Sequence, residues 1–285
     1  MIGQTRLQSK LEETYERGRL PRFIIIVGEE GSGKSTLINE FIQKHWAFSY
    51  ICIDSKVDTL RDMMYVAYSV TENMAVYIPN ADDMSQIAKN SILKIVEEPP
   101  KRVTFFMSAN SEMSLLSTIK SRGTIYHMDS YTTDELKSAL KMSVQTQKDE
   151  QISDYIVSMS NSISDVEKLS KCDLDAFQKQ VRVIVDMCDT LSIANLLKSS
   201  LNMSFKKDEA DEKKLDVRLL FQAVQTECLR RMGDDIDNRK MYCEMIEITA
   251  QYLNELNIRS INKQMIYEIW LLELRECKNK WIQMK

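Results

Sequence analysis

Phe23-Ile24-Ile25-Ile26-Val27-Gly28-Glu29-Glu30-Gly31-Ser32-Gly33-Lys34-Ser35-Thr36 is the stretch on which the reading of this chain turns. Five apolar residues run into a glycine-rich loop, and the loop runs into a helix-like segment over 35–45. This is the G-x-x-x-x-G-K-[ST] pattern in the strand–loop–helix setting that gives it meaning. Glycine lets backbone N–H groups close on phosphate oxygens, and the helix that follows turns its positive end toward the same anion. Gly28, Gly31, Ser32, Gly33, Lys34, Ser35 and Thr36 are therefore the candidate nucleotide-binding positions. In this pattern Lys34 reaches the β- and γ-phosphates, and Ser35 contacts the Mg²⁺ carried with the nucleotide.

Strand-like and helix-like segments alternate on either side of that loop. A helix is expected over 4–17, with Leu7, Leu11 and Tyr15 at four-residue spacing. Beyond the loop come strand Ser49-Tyr50-Ile51-Cys52-Ile53, helix 56–68, strand Met74-Ala75-Val76-Tyr77-Ile78 and helix 84–97. Strand Val103-Thr104-Phe105-Phe106-Met107, helix 111–119 and strand Thr124-Ile125-Tyr126-His127-Met128 complete the block. Strands separated by helical segments predict a parallel α/β sheet.

All four prolines and six of the seven glycines lie at or before Gly123, and only Gly233 follows. Because these residues punctuate turns and break helices, the remainder is expected to be almost entirely helical. Thr133 opens the first of these helices, with Leu136, Leu140 and Val144 on one face. Three later stripes are Leu215-Leu219-Ala223, Met241-Met245-Ile248-Tyr252 and Ile266-Ile269-Trp270-Leu274. The charge run from Lys206 to Lys214 reads as a solvated loop. The expected division is 1–130 for the α/β unit, 131–172 for a small helical unit and 173–285 for a larger one.

Composition narrows the function. A net charge of −4 excludes a chain that binds nucleic acid by bulk electrostatics, so any such contact has to be local. No apolar run reaches the roughly 18 residues of a membrane span, and the N-terminus has no signal-peptide pattern; a cytoplasmic location is expected. The six cysteines form no C-x-x-C pair, which argues for reduced structural thiols rather than a zinc or redox site. His45 and His127 are read as structural.

The loop's chemical partner is missing. The strand ending at Ile78 should deliver the acids that hold the Mg²⁺ shell and activate water, and it delivers Pro79-Asn80. Asp82, Asp83 and Asp54 are the possible substitutes, with helix capping the commoner role for an acid at a helix start. Nucleotide binding without efficient hydrolysis is the expectation.

Two further segments carry a resemblance. Asn90-Ser91-Ile92-Leu93-Lys94-Ile95-Val96-Glu97-Glu98-Pro99-Pro100 reads as an amphipathic helix stopped by two prolines, and Ser121-Arg122-Gly123 as an exposed arginine on a turn before an edge strand. Together they resemble the N-[SA]-L-L-K-x-L-E-E-P-P and S-R-C segments of bacterial clamp-loader ATPases of the AAA+ class. Ile2-Gly3-Gln4 and Gly18-Arg19-Leu20-Pro21 are similar to the same family's N-terminal pattern. The likeness is specific over roughly 1–130 and is nearest in type to the delta-prime subunit of the DNA polymerase III clamp loader.

The resemblance implies an AAA+ domain, a helical lid and an all-α C-terminal collar. It also implies ATP and Mg²⁺ as cofactors, a hetero-oligomeric ring with other AAA+ subunits, and a sliding clamp and primed DNA as partners of the assembled ring, with no membrane. Arg122 would act in trans as an arginine finger in a neighbour's site, as expected of a stator that hydrolyses little or nothing itself. The alternative is an autonomous AAA+ ATPase with a non-standard metal-binding acid. The chain departs from the family in its complete phosphate loop, in lacking the zinc module between the first helix and third strand, and in having Asn161-Ser162-Ile163-Ser164-Asp165-Val166 where a sensor-2 arginine would stand. Ser108 or Asn110 is the candidate for the polar sensor-1 group.

Overall fold

A computed structural model describes residues 2–52, 54, 56–143, 150–186, 203–204, 215–256 and 262–283. The run 206–214 lies outside the described residues, as do Ile53 and Val144. The chain separates into two compact units, Met1–Ala139 with Asn161–Ser164, and Leu140–Ser160 with Asp165–Lys285. The three-part division expected at 130 and 172 is drawn differently, since 131–139 and 161–164 fall in the first of these units.

In the first unit, α1 (Thr5–Glu16), β1 (Phe23–Val27), α2 (Lys34–His45), β2 (Phe48–Ile51), α3 (Val57–Ser69) and β3 (Met74–Ile78) follow in order. They continue into α4 (Gln86–Ser91), α5 (Leu93–Glu97), β4 (Val103–Ala109), α6 (Ser117–Lys120) and β5 (Thr124–His127). All five strands are parallel, in the order β2-β3-β4-β1-β5. β1 and β3 are buried along their whole length, as a sheet covered on both faces requires.

The pleat sorts their side chains. Ile24, Ile26, Ala75, Tyr77 and Phe106 pack with Leu7 and Leu11 of α1 and Leu37, Ile38, Phe41 and Ile42 of α2. Phe23, Ile25, Val76, Ile78, Phe105 and Met107 pack with Leu60 and Met63 of α3, Ala88, Ile92, Ile95 and Ile119. His45 lies beside Tyr15 at 3.9 Å between ring centroids and pairs with Glu12 at 2.8 Å, which supports its structural reading.

Two expected helices are broken. The one expected over 84–97 is a 3-10 turn at Ala81–Asp83, then α4, then α5, with the chain interrupted at Ile92. Ser85 caps α4 by accepting from the Ala88 N–H at 3.1 Å, which sets a start that apolar spacing does not mark. The one expected over 111–119 is a 3-10 turn at Glu112–Ser114 and the single turn α6. Local side-chain bonds win here: Ser111 accepts from the Met113 N–H, and Ser114 donates back to the Ser111 carbonyl. β2 runs from Phe48 to Ile51, and the Cys52 N–H adds one more bond to β3, at the Tyr77 carbonyl.

Beyond the sheet come α7 (Thr133–Ser143), α8 (Glu150–Met159), α9 (Ile163–Lys171) and α10 (Leu174–Asp186). After the short paired strands β6 (Met203–Ser204) and β7 (Leu215–Asp216) follow α11 (Val217–Asp234), α12 (Arg239–Glu255) and α13 (Lys263–Gln283). Trp270 and Phe221 stack at 3.9 Å in the second unit's core, and the indole N–H donates to the buried Thr249 hydroxyl at 3.0 Å. Asp165 of α9 is fully buried and takes the Arg218 guanidinium at 2.6 Å. Cys52, Cys228 and Cys277 are buried, and burial pushes the Cys52 thiol up to about 12, so it is inert at neutral pH.

Candidate functional site: a phosphate loop without acids

The parallel registers bring the ends of β1, β3 and β4 together, with Val27 opposite Ala109 and Ile78 opposite Met107. That is the edge at which open α/β sheets hold ligands. The loop leaves β1 at Gly28, whose N–H is held by the Ala109 carbonyl at 3.1 Å, and enters α2 through Gly33 in the left-handed region at φ 86°. Tyr131 anchors the loop from the other side by donating to the Ser32 carbonyl at 2.7 Å. Gly31 also has positive φ, and a Cβ there would lie 2.7 Å from the Ser162 hydroxyl and 2.8 Å from the Ser164 Cβ. Glycine is thus required twice over at this position, by backbone conformation and by the segment that lies against it.

Lys34 is buried, and its ammonium donates to the Gly28 and Glu29 carbonyls at 2.7 Å each and to Asn110 Oδ1 at 2.9 Å. A buried ammonium costs several kcal/mol unless its protons are met, and these three oxygens match its three protons. Of the two sensor-1 candidates, Asn110 therefore meets the loop lysine directly. Ser108 is fully buried and bonds to Tyr77 OH at 3.0 Å.

Two of the three candidate acids, Asp82 and Asp54, are engaged in turns. Asp82 accepts from the Asn110 N–H at 2.6 Å, the Ser111 N–H at 3.3 Å and the Ser114 hydroxyl, so its carboxylate holds the turn after β4. Asp54 accepts from the Lys56 N–H at 3.0 Å and the Thr59 hydroxyl at 2.7 Å, which brings its carboxyl down to about 2. Ser35, the expected Mg²⁺ contact, has its hydroxyl 2.8 Å from Tyr77 OH, and the strand continues into Pro79. No group of three or more acidic, histidine or cysteine side chains suited to a metal occurs among the described residues. A neutral phenol and a proline are a poor donor set for Mg²⁺, which is held by carboxylates and phosphate oxygens.

Arg122 follows α6 on the turn into the edge strand β5, as expected, but it is half-buried rather than exposed. Its guanidinium donates to the Thr118 carbonyl at 2.8 Å and pairs with Glu97, the first acid of Glu-Glu-Pro-Pro, at 3.0 Å. Gly123 follows because Ile25 fills the space of a side chain there: a Cβ would meet the Ile25 Cδ1 at 2.5 Å.

With this geometry in place, the family model described as "DNA polymerase III, delta subunit" matches residues 50–132, from β2 to the start of α7. DNA polymerase III subunit delta' of Buchnera aphidicola subsp. Schizaphis graminum is 25% identical over 81% of this chain and 65% of its own length. The subunit of the same name from Buchnera aphidicola subsp. Baizongia pistaciae is 27% identical over 48% of this chain and 40% of its own. The matched region thus spans less than two thirds of the length of either relative. The chain resembles the delta-prime type of clamp-loader subunit.

Its fold is that of AAA+ proteins. The Thermotoga maritima RuvB Holliday junction branch migration motor superposes on 78% of this delta-prime-like chain and 76% of its own, with a TM-score of 0.50 at 18% identity. Sequence reasoning placed the phosphate loop and the Ser121-Arg122 turn but missed the Ser35–Tyr77 and Arg122–Glu97 pairs. The first had a signal, since a tyrosine in a fully buried strand needs a partner for its hydroxyl. The second had none, because Glu97 and Arg122 meet only through the sheet topology.

Proposed function

We propose that this chain is a non-motor subunit of a clamp loader in DNA replication. It binds ATP on the phosphate loop and donates Arg122 to the nucleotide site of a neighbouring AAA+ subunit. The observation that carries this reading is the pairing of an intact loop, with Lys34 beside Asn110, and a strand of the same sheet, β3, whose end offers Pro79-Asn80 in place of an acidic pair. Gly28, Gly31, Ser32, Gly33, Lys34, Ser35 and Thr36 then form the phosphate cradle, and Lys34 exchanges the Gly28 and Glu29 carbonyls for phosphate oxygens. A guanidinium supplied in trans stabilises charge developing on a γ-phosphate held by another subunit. Release of Arg122 from Glu97 is the local change this role requires.

Assembly into a hetero-oligomeric ring through the C-terminal helices, with a sliding clamp and primed DNA as ligands of the whole ring, belongs to the same proposal. The likeness to delta-prime subunits and the helical second unit support it. The test is Arg122→Ala in the reconstituted assembly: this chain stays folded while the partners' DNA-stimulated ATPase falls by about 10³-fold or more. An unchanged rate refutes the role.

The alternative of an autonomous ATPase needs Asp82, Asp83 or Asp54 as metal ligand. The bonds of Asp82 to the turn after β4 and of Asp54 to its own turn count against it. Robust turnover by the purified chain, abolished by Lys34→Ala, would establish that alternative.

A further inference from the structure

Tyr77 and its hydroxyl partners form a continuous line through the base of the nucleotide site. The Asn80 N–H donates to Ser108 Oγ at 3.1 Å, Ser108 Oγ lies 3.0 Å from Tyr77 OH, and Tyr77 OH lies 2.8 Å from Ser35 Oγ. Tyr77 and Ser108 are buried, so this line is fixed by packing rather than by solvent. It has two possible polarities, since each hydroxyl can donate or accept. If Tyr77 donates to Ser35, a phenolic proton is directed at the atom that would face a cation. If Ser35 donates to Tyr77, its lone pairs remain free, but the partner is neutral where a carboxylate is normally required. Neither arrangement supplies negative charge, and β3 passes directly into Pro79, which has no side-chain donor.

Resting on the nucleotide-binding reading above, we propose that this site holds its nucleotide without a divalent cation. Tyr77 acts as a positioning residue that occupies the metal's seat. The phosphate charge is met instead by the Lys34 ammonium, the loop N–H groups and the N-terminus of α2. The Ser35 hydroxyl serves as a hydrogen-bonding group toward Tyr77 and phosphate rather than as a metal ligand. Such a site separates nucleotide retention from the metal-assisted chemistry that turnover needs, which suits a subunit whose nucleotide is structural.

The test is equilibrium binding of ATP to the full chain in excess Mg²⁺ and in excess EDTA, for wild type and for Tyr77→Phe. The wild type is expected to bind ATP in both buffers with dissociation constants within about twofold of each other. Tyr77→Phe, which keeps the ring and removes the hydroxyl, is expected to gain a clear Mg²⁺-dependent tightening. Wild-type binding tightened about tenfold or more by Mg²⁺ overturns the proposal while leaving the nucleotide reading intact. Mg²⁺-independence in both proteins overturns the assignment to Tyr77. Absence of ATP binding in either buffer overturns the nucleotide reading itself, and this proposal with it.

Discussion

Lys34 and Asp54 show how single side chains divide between ligand and fold. Lys34 braces the loop through Gly28, Glu29 and Asn110, and in the proposed role its charge also meets a phosphate. Lys34→Ala is expected to abolish measurable ATP binding by calorimetry. Its far-UV circular dichroism should remain that of the wild type, because the helices and strands do not depend on that ammonium. Asp54 is engaged by the fold. Its acceptor bonds to Thr59 and to the Lys56 backbone hold its carboxyl at about 2, below the ordinary 3.8.

A carboxyl depressed in the folded state stabilises above its unfolded pKa, and that contribution is lost as pH falls through the folded value. Asp54→Asn should therefore lower the urea midpoint at pH 6, and the difference from wild type should shrink as pH falls from about 4 to about 2. A pH-independent difference would assign the effect to hydrogen bonding alone. The group is exposed, so the effect is modest in size.

At the level of elements, the helices of the second unit are tied by a few buried polar pairs set in apolar stripes. Asp165 on α9 and Arg218 on α11 form a pair in which the carboxylate is fully buried. Arg218→Ala leaves that charge without its guanidinium and is expected to cost about 3–5 kcal/mol in chemical denaturation. The Trp270 indole N–H depends in the same way on Thr249 across α12 and α13. Thr249→Val keeps the shape and removes the acceptor, at an expected cost of about 1–3 kcal/mol. The apolar stripes of α11, α12 and α13 were legible from helical spacing, which marks the apolar face. The polar pairs were not, because Asp165 and Arg218 lie on separate helices and each resembles an ordinary surface charge.

At the scale of the whole molecule, ATP is expected to stabilise the first unit by mass action. At a hundredfold excess over its dissociation constant the gain is about 2.7 kcal/mol, read as a rise in the thermal transition that Lys34→Ala removes. The parallel sheet, the phosphate loop, the absence of an acidic pair and the helical C-terminal region were all determined by the sequence alone. Each of these rests on local chemistry: apolar runs of strand length, glycines that admit phosphate, and prolines and glycines confined to one part of the chain. Tertiary structure alone decided the remainder. It set the assignment of Asp82 to a turn, the engagement of Arg122 by Glu97 and the meeting of Ser35 with Tyr77. The reason is physical: these contacts join residues far apart in the chain, and which ones meet depends on strand order and register rather than on any local pattern of residue types.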